Sequence, residues 1–357
     1  MNYRRLGRTG LKVSEMSLGS WTTYGGSVDT GDAIAIVRRA FELGVNTFDT
    51  ADVYVKGAAE SVLGQALRDL PREQLVIATK CMGRVWDGPL GAGLSRKHIF
   101  DAIDQSLKRL GTDYVDLYQL HAPDKDTPIE ETLRALEDLV RSGRVRYVGF
   151  SNFDHHAPLD RKVLEHQKAQ GYDVMVSSQP RWNLLDRHVE GGHAALCRKW
   201  GVGMIVYSPL GQGVLSNKYA GGEKPPGSRA TTRFGHFLES EKALTPENVA
   251  ATERFAARVK ELGAWTPAQV ALAWVLRHPE VSSVILGATR VEQLEDNVAA
   301  AEVKFDDAEW KSLEAAIAGP RRGRAAAKGK PRSKARPAAT RARKTAPRGK
   351  APKGRRA

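Results

Sequence analysis

The chain predicts a closed (β/α)8 barrel, and three features of its sequence argue for it. Short runs rich in Val, Ile and aromatics recur at intervals of roughly thirty residues, the length of one strand-helix unit. Apolar residues at helical spacing fill the gaps between those runs. The runs themselves are apolar almost throughout, as parallel strands buried on both faces are. An open doubly wound sheet would usually carry G-x-G-x-x-G after an early strand, and that motif does not occur in this chain.

In order, the strand-like runs are "MSLGS", "NTFDT", "LVIATK", "YVDLYQLH", "RVRYVGFSN", "DVMVSSQ", "GVGMIVYSP" and "VSSVILGAT". Between them, Ile34, Val37 and Phe41 share one helical face, as do Ile99, Ile103, Leu107 and Leu110, and later Ile129, Leu133, Leu136 and Val140. Gly44, Gly111, Gly143 and Gly201 stand where helices end in a left-handed glycine. Ahead of the first strand, "YRRLGRTGLKVS" reads as a hairpin around Arg8-Thr9-Gly10 that caps the barrel floor. From Ser208 to Pro246 runs a Gly/Pro-rich segment beyond the seventh strand. Loops this long are functional or unstructured, and its place beyond a strand's C-terminal end favours a ligand-covering loop.

Charge divides the chain into two parts, 1–319 and 320–357. The net charge of +14 comes from 55 Lys and Arg against 41 Asp and Glu, but 16 of those bases lie in the last 38 residues, which contain no acid. Subtracting them leaves 39 against 41, so the body is near neutral and its ligand cannot be inferred from the overall charge. The tail has no aromatic, Leu, Ile or Val, so it has too little apolar surface to offset its ordering entropy and is expected to be disordered. Its polycationic composition makes non-specific nucleic acid a candidate partner, with a solvated extension as the plain alternative. Cys81 and Cys197 form no disulfide framework or zinc motif, and no metal site is expected. With no apolar leader and no run of eighteen apolar residues, the expected location is cytoplasmic, without membrane contact.

Polar residues collect where the strands end, which is where barrels of this type carry chemistry. They are Asp49 and Tyr54 after the second strand, Lys80 after the third, His121 after the fourth, Ser151 and Asn152 after the fifth, Gln179 after the sixth, and Tyr207 and Ser208 after the seventh. Taken singly, each has a plain reading: Asp as a helix cap, Tyr as packing, Lys as a solvated charge, His121 before Ala-Pro as a turn residue. Four ionisable types at successive positions point instead to proton transfer to a carbonyl. A phenol is a weak acid near pH 7, a nearby ammonium stabilises its phenolate, and a buried carboxylate keeps that ammonium charged and aimed. Lys80 and Asp49 fit those two tasks, and His121 is left to donate to, orient or share a proton with the substrate oxygen. Strand alternation turns Cys81 away from the lumen as filler.

Together "FDTADVY", "VIATK", "DLYQLH", "VGFSNF", "SPLGQGVLSNKY" and "ILGATRVEQLEDN" resemble the aldo-keto reductases, NADPH-dependent TIM-barrel enzymes, from about Tyr3 to Ala318. The last two motifs are most similar to the branch of bacterial reductases and potassium-channel beta subunits. The resemblance implies a catalytic tetrad of Asp49, Tyr54, Lys80 and His121. For NADPH/NADP+ it implies that Ser151, Asn152 and Gln179 bond the nicotinamide carboxamide and that the ring stacks on Tyr207. Ser208, Leu210, Gln212 and Lys218 match the pyrophosphate loop, and Arg229 matches a residue closing over the adenosine phosphate. Gly287, Thr289, Arg290, Gln293 and Asn297 match the segment that reads the adenosine end, with Asp296 where the family more often has Glu.

Trp21, Tyr24, Val55, Trp86 and Trp182 lie beyond strand ends and are candidates for the wall of a carbonyl-substrate pocket, or for packing between loops. Trp182 stands where relatives often show Tyr. The expected activity is NADPH-linked reduction of aldehydes or ketones with Tyr54 as general acid. Two alternatives are a slow-turnover NADPH-binding redox-sensing subunit and a nucleic-acid-associated protein acting through the tail. Neither the physiological carbonyl nor the oligomeric state is legible.

Overall fold

A computed structural model describes residues 1–156 and 158–319. The readings made for the tail, 320–357, lie outside these residues. Among the described residues, eight parallel strands close a barrel: β3 (Met16–Gly19), β4 (Thr47–Asp49), β5 (Val76–Cys81), β6 (Val115–Leu120), β7 (Val145–Ser151), β8 (Ser177–Gln179), β9 (Gly203–Val206) and β10 (Val281–Leu286). Each pairs with its neighbour in chain order, and β10 closes on β3 through Val284↔Met16 and Leu286↔Leu18. The sixth strand is shorter than the run "DVMVSSQ" suggests. Its first amides are taken by side chains: Asp173 N–H donates to Glu137 at 2.8 Å and Met175 N–H to Gln167 at 3.0 Å.

The N-terminal hairpin is present as β1 (Tyr3–Arg5) and β2 (Lys12–Ser14), antiparallel with Arg4 opposite Val13. Leu6 and Val13 plug the barrel floor against Val76, Ala78, Leu117 and Ile205. Above this apolar layer the lumen turns polar with Gln119, Ser177 and Lys80, all fully buried. Gly149 makes that layer possible, because a Cβ there would sit 2.0 Å from the Ser177 hydroxyl.

The outer helices include α1 (Thr30–Glu42), α2 (Ala58–Leu67), α3 (Arg96–Leu110), α4 (Ile129–Arg141), α5 (Leu159–Gln170) and α6 (His193–Trp200). The apolar faces read from the sequence do the packing: Ile99, Ile103 and Leu110 of α3 and Leu133 and Leu136 of α4 are buried against the barrel. Gly111 ends α3 in the left-handed conformation, φ 66°, with its N–H bonded to the Leu107 carbonyl.

The segment after β9 is a folded flap. It contains short 3-10 turns at Gly211–Ser216, Ala220–Gly222 and Arg229–Thr231, then α7 (His236–Ser240), before α8 (Pro246–Leu262) and α9 (Pro267–Leu276). It reaches across to the loop after β3, where the Phe237 ring lies 4.8 Å from that of Trp21. The chain then passes through β10 to α10 (Val291–Val298) and α11 (Asp307–Ala318). No helix among the described residues is long and apolar enough to cross a membrane.

Candidate active site

Lys80 is the hub of the polar cluster at the C-terminal mouth. Its side chain is fully enclosed, and its Nζ donates to Asp49 Oδ1 at 2.6 Å, to the Thr50 carbonyl at 2.8 Å and to the Tyr54 hydroxyl at 3.2 Å. The other carboxylate oxygen of Asp49 accepts from Gln179 Nε2 at 2.8 Å and from Gln119 at 3.5 Å. His121 follows β6 directly, and its ring meets that of Tyr54 edge-on with centroids 5.5 Å apart. Asp49, Tyr54, Lys80 and His121 are thus brought together from three successive strand ends.

The backbone after Tyr54 is strained. Val55 and Lys56 have φ of 48° and 54°, a region that a β-branched residue seldom enters and that costs about 1–3 kcal/mol per residue. The tight turn ends at Gly57, whose Cβ would collide with the Arg109 side chain, and α2 begins at once. Thr22, Asn152, Ser208 and Gln212 also adopt positive φ. All of them lie on loops at the strand C-termini, so the strain is gathered at the mouth.

Environment sets the protonation states. Burial opposes the charge on Lys80, but Asp49 and Tyr54 outweigh it and leave the ammonium above its ordinary pKa. Burial also raises Tyr54, and the attraction of Lys80 only partly offsets this. Lys80 lowers the phenol pKa as expected, but burial outweighs it, so the net shift is upward and favours the neutral phenol. Burial, then repulsion from Lys80, pushes His121 down to about 3, so its imidazole is neutral. Cys81 lies on the opposite face of β5, packed among the apolar side chains outside the lumen, and burial raises its thiol pKa.

The residues expected to hold the nicotinamide carboxamide join the same network. Asn152 Nδ2 donates to the His121 carbonyl at 2.8 Å, and its Oδ1 accepts from the Tyr207 hydroxyl at 2.8 Å. Ser151 Oγ donates to the Gln179 carbonyl at 2.9 Å. Beyond β9, Ser208, Leu210, Gln212 and Lys218 lie along the start of the flap. Arg229 donates to Gln212 at 3.2 Å and to Thr22 at 3.0 Å and lies over the Trp21 ring, with no carboxylate in ion-pair contact among the described residues. Lys218 is held below the ordinary lysine range, first by lost hydration and then by repulsion from Arg229 and Arg290. Three cations share one field, and among the described residues only Arg290 has an acid in ion-pair contact, Glu292 at 3.8 Å, a grouping that fits the phosphates of a dinucleotide.

The residues expected on the adenosine side follow β10. Thr289 donates to Gln293 Oε1 through its N–H at 3.0 Å and its hydroxyl at 3.2 Å, and Arg290 caps α10 with its side chain exposed. Asn297 is buried, yet its amide nitrogen has no hydrogen-bond partner. An orphaned buried donor beside this cationic cleft fits a base or ribose acceptor.

The chain matches the model of the aldo/keto reductase family over residues 15–318. It belongs to the aldo/keto reductase family. Among curated relatives it is 40% identical over 313 residues to a putative voltage-gated potassium channel subunit beta of Schizosaccharomyces pombe, covering 84% of this chain and 88% of that one. It is 39% identical over 310 residues to a probable subunit of the same kind from Oryza sativa subsp. japonica, covering 85% and 92%. It is 38% identical over 308 residues to the L-glyceraldehyde 3-phosphate reductase of Escherichia coli K12, covering 84% and 87%.

The expected substrate wall of this aldo/keto reductase needs correction. Tyr24 and Trp182 are each only 1% exposed and cannot line an open pocket. Trp182 packs against Trp274 and His278 of the outer shell, its ring centroids 6.2 and 4.2 Å from theirs. Trp21, Val55 and Trp86 are partly exposed on the loops after β3, β4 and β5, with Trp86 tilted against His98.

Several members of the site carry weak sequence signals. Gln119 lies two residues before His121, and strand alternation alone puts it on the lumen face. The Thr50 carbonyl that helps hold Lys80 has no side-chain signature. Asn183 donates to the Ser208 carbonyl at 3.0 Å and braces the start of the flap, but in "RWNLLDR" it reads as an ordinary turn residue. Asp52 is fully buried, and neither of its carboxylate oxygens has a partner.

Proposed function

We propose that this protein reduces aldehydes or ketones to alcohols with NADPH, with Tyr54 as the general acid. The observation that carries the reading is the enclosed chain of contacts from Tyr54 through Lys80 to Asp49, with neutral His121 against the phenol ring. The bound cofactor would supply hydride to the carbonyl carbon. Tyr54 keeps its proton at rest and gives it to the carbonyl oxygen as negative charge develops there. The Lys80 ammonium then stabilises the phenolate left behind, and Asp49 keeps that ammonium charged. His121, being neutral, serves as a hydrogen-bond donor that orients the substrate oxygen rather than as a proton source.

Ser151, Asn152 and Gln179 would hold the carboxamide and Tyr207 the face of the nicotinamide. Lys218, Arg229 and Arg290 would neutralise the phosphates. NADPH consumption measured against a panel of small aldehydes, including a phosphorylated triose, tests this reading. Turnover at rates typical of enzymes supports it, whereas stoichiometric oxidation of bound NADPH over many minutes favours the second reading. That second reading, a slow redox-sensing subunit, is prompted by the 39–40% identity to proteins named as voltage-gated potassium channel beta subunits. The basic segment 320–357 is proposed as a separable polyanion-binding arm that reduction does not require.

A further inference from the structure

A cluster of titratable side chains lies outside the reduction site, on the segments that follow β7 and β8. Asp154 has a side chain only 1% exposed, and its Oδ1 is buried without a hydrogen-bond partner. Its Oδ2 faces His188 Nε2 in a close contact and His155 Nε2 at 3.4 Å. The two imidazoles stack with centroids 4.1 Å apart and planes 17° from parallel. One ligand atom from each of the three residues lies within 4.8 Å of the other two.

The opposite nitrogen of His188 is already held. Asp186 Oδ1 lies 2.6 Å from His188 Nδ1, and Asp186 Oδ2 accepts from Arg181 Nε at 2.7 Å. A carboxylate on the far ring nitrogen is the outer-shell partner that metal-bound histidines commonly have; it sets the tautomer and points Nε2 at the ion. A plain ionic bridge of His188 between two aspartates would account for His188 alone. It leaves the Oδ1 of Asp154 buried without a partner, a second carboxylate oxygen open to an ion.

We propose that Asp154, His155 and His188 form a site for one divalent transition ion of the zinc class, with Asp186 orienting His188. Two imidazoles and one carboxylate favour zinc, cobalt or nickel over magnesium or calcium, which take oxygen ligands. Ligand atoms bound at about 2.0–2.2 Å to a tetrahedral ion stand roughly 3.2–3.6 Å apart, so ion binding requires the exposed His155 ring to rotate out of its stack on His188 and bring its Nε2 inward. The ion replaces the proton between His188 and Asp154, and a water completes the fourth position. His155 is exposed and gives the ion a path in. The bound ion would clamp the segment carrying Asn152 to the segment after β8 and stabilise the barrel mouth.

The test uses the full-length protein stripped with a chelator and titrated with Co2+ alone, read by visible ligand-field absorption, then with Zn2+ by calorimetry and thermal melting. The expected result is one Co2+ per chain, displaced by Zn2+, with a higher Tm that Mg2+ does not reproduce. His155→Ala should lose at least tenfold in Co2+ affinity while its metal-free Tm matches the parent. Asp186→Asn should lose roughly ten- to a hundredfold through the outer shell. The proposal is overturned if no stoichiometric Co2+ spectrum appears. It is equally overturned if His155→Ala and Asp154→Asn both bind Co2+ as the parent does, which would put the ligands elsewhere.

Discussion

Lys80 Nζ sits 2.6 Å from Asp49 Oδ1 with both side chains sealed from solvent, so neither charge can be removed without stranding the other. Asp49→Asn should therefore lower stability by about 3–5 kcal/mol, the usual result of leaving a buried charge unpaired. Urea unfolding would measure the loss. Carbonyl reduction should fall as well, because the lysine would no longer be held charged beside Tyr54. A variant as stable as the parent would mean that Lys80 is neutral in the fold.

Tyr54→Phe tests the general acid. It keeps the ring against His121 and removes only the hydroxyl that meets Lys80 at 3.2 Å. Reduction should drop about 10²–10⁴-fold while NADPH affinity stays within a few-fold. Steady-state rates and cofactor fluorescence titration read the two quantities separately, and near-parental turnover would take Tyr54 out of the mechanism.

Asp52 predicts a pH dependence of stability. Burial first, then repulsion from Glu60, raises its pKa to about 8, despite the pull of Arg109 and Lys80. The folded state keeps this proton up to about pH 8, whereas an unfolded aspartate loses it near pH 4. Between those values the folded state binds more protons, so Asp52 makes stability fall as pH rises, by about 1.4 kcal/mol per unit at most. Asp52→Asn removes that slope. Its stability relative to the parent should increase from pH 5 to pH 8, and a pH-independent difference would contradict the buried, protonated assignment.

Arg290 and Arg229 are expected to carry a preference for NADPH over NADH. A charge-assisted hydrogen bond contributes about 1.5–3 kcal/mol, or roughly ten- to a hundredfold in affinity. Replacing Arg290 with Ala should weaken NADPH by that factor and NADH far less. Equal losses for the two cofactors would show that neither 2′-phosphate nor coenzyme choice depends on this side chain.

The 16 basic residues of segment 320–357 should bind DNA without sequence preference and with affinity that falls steeply as salt rises. With no aromatics among them, base stacking contributes nothing. A chain ending at Gly319 should reduce carbonyls as the full chain does and lose the salt-dependent binding. Failure of the full chain to bind DNA at low salt would leave the segment a solvated extension.

The barrel was legible because parallel strands sealed on both faces must be continuously apolar, and because each helix between them must repeat its apolar face at 3.6 residues. Strand ends were legible for the same reason: Asp49, His121 and Ser151 stand at or just after the ends of buried runs. Trp182 misled because an aromatic beside a strand end reads the same whether it faces the mouth or a slot between helices. The short β8 escaped because Glu137 and Gln167, distant in sequence, capture its first amides.

Local pattern thus determined the architecture, the hairpin floor and the strand-end candidates, since period and burial are written along the chain one element at a time. Three-dimensional packing alone decided the rest. It chose which oxygen of Asp49 meets Lys80 and which meets Gln179. It set the net pKa of Tyr54 by weighing burial against one ammonium, forced Val55 into a left-handed turn with no glycine to announce it, and brought Asp154 and His188 together from two different loops. Those outcomes depend on distances of a few ångströms between residues far apart in sequence, where Coulomb and hydration energies change steeply.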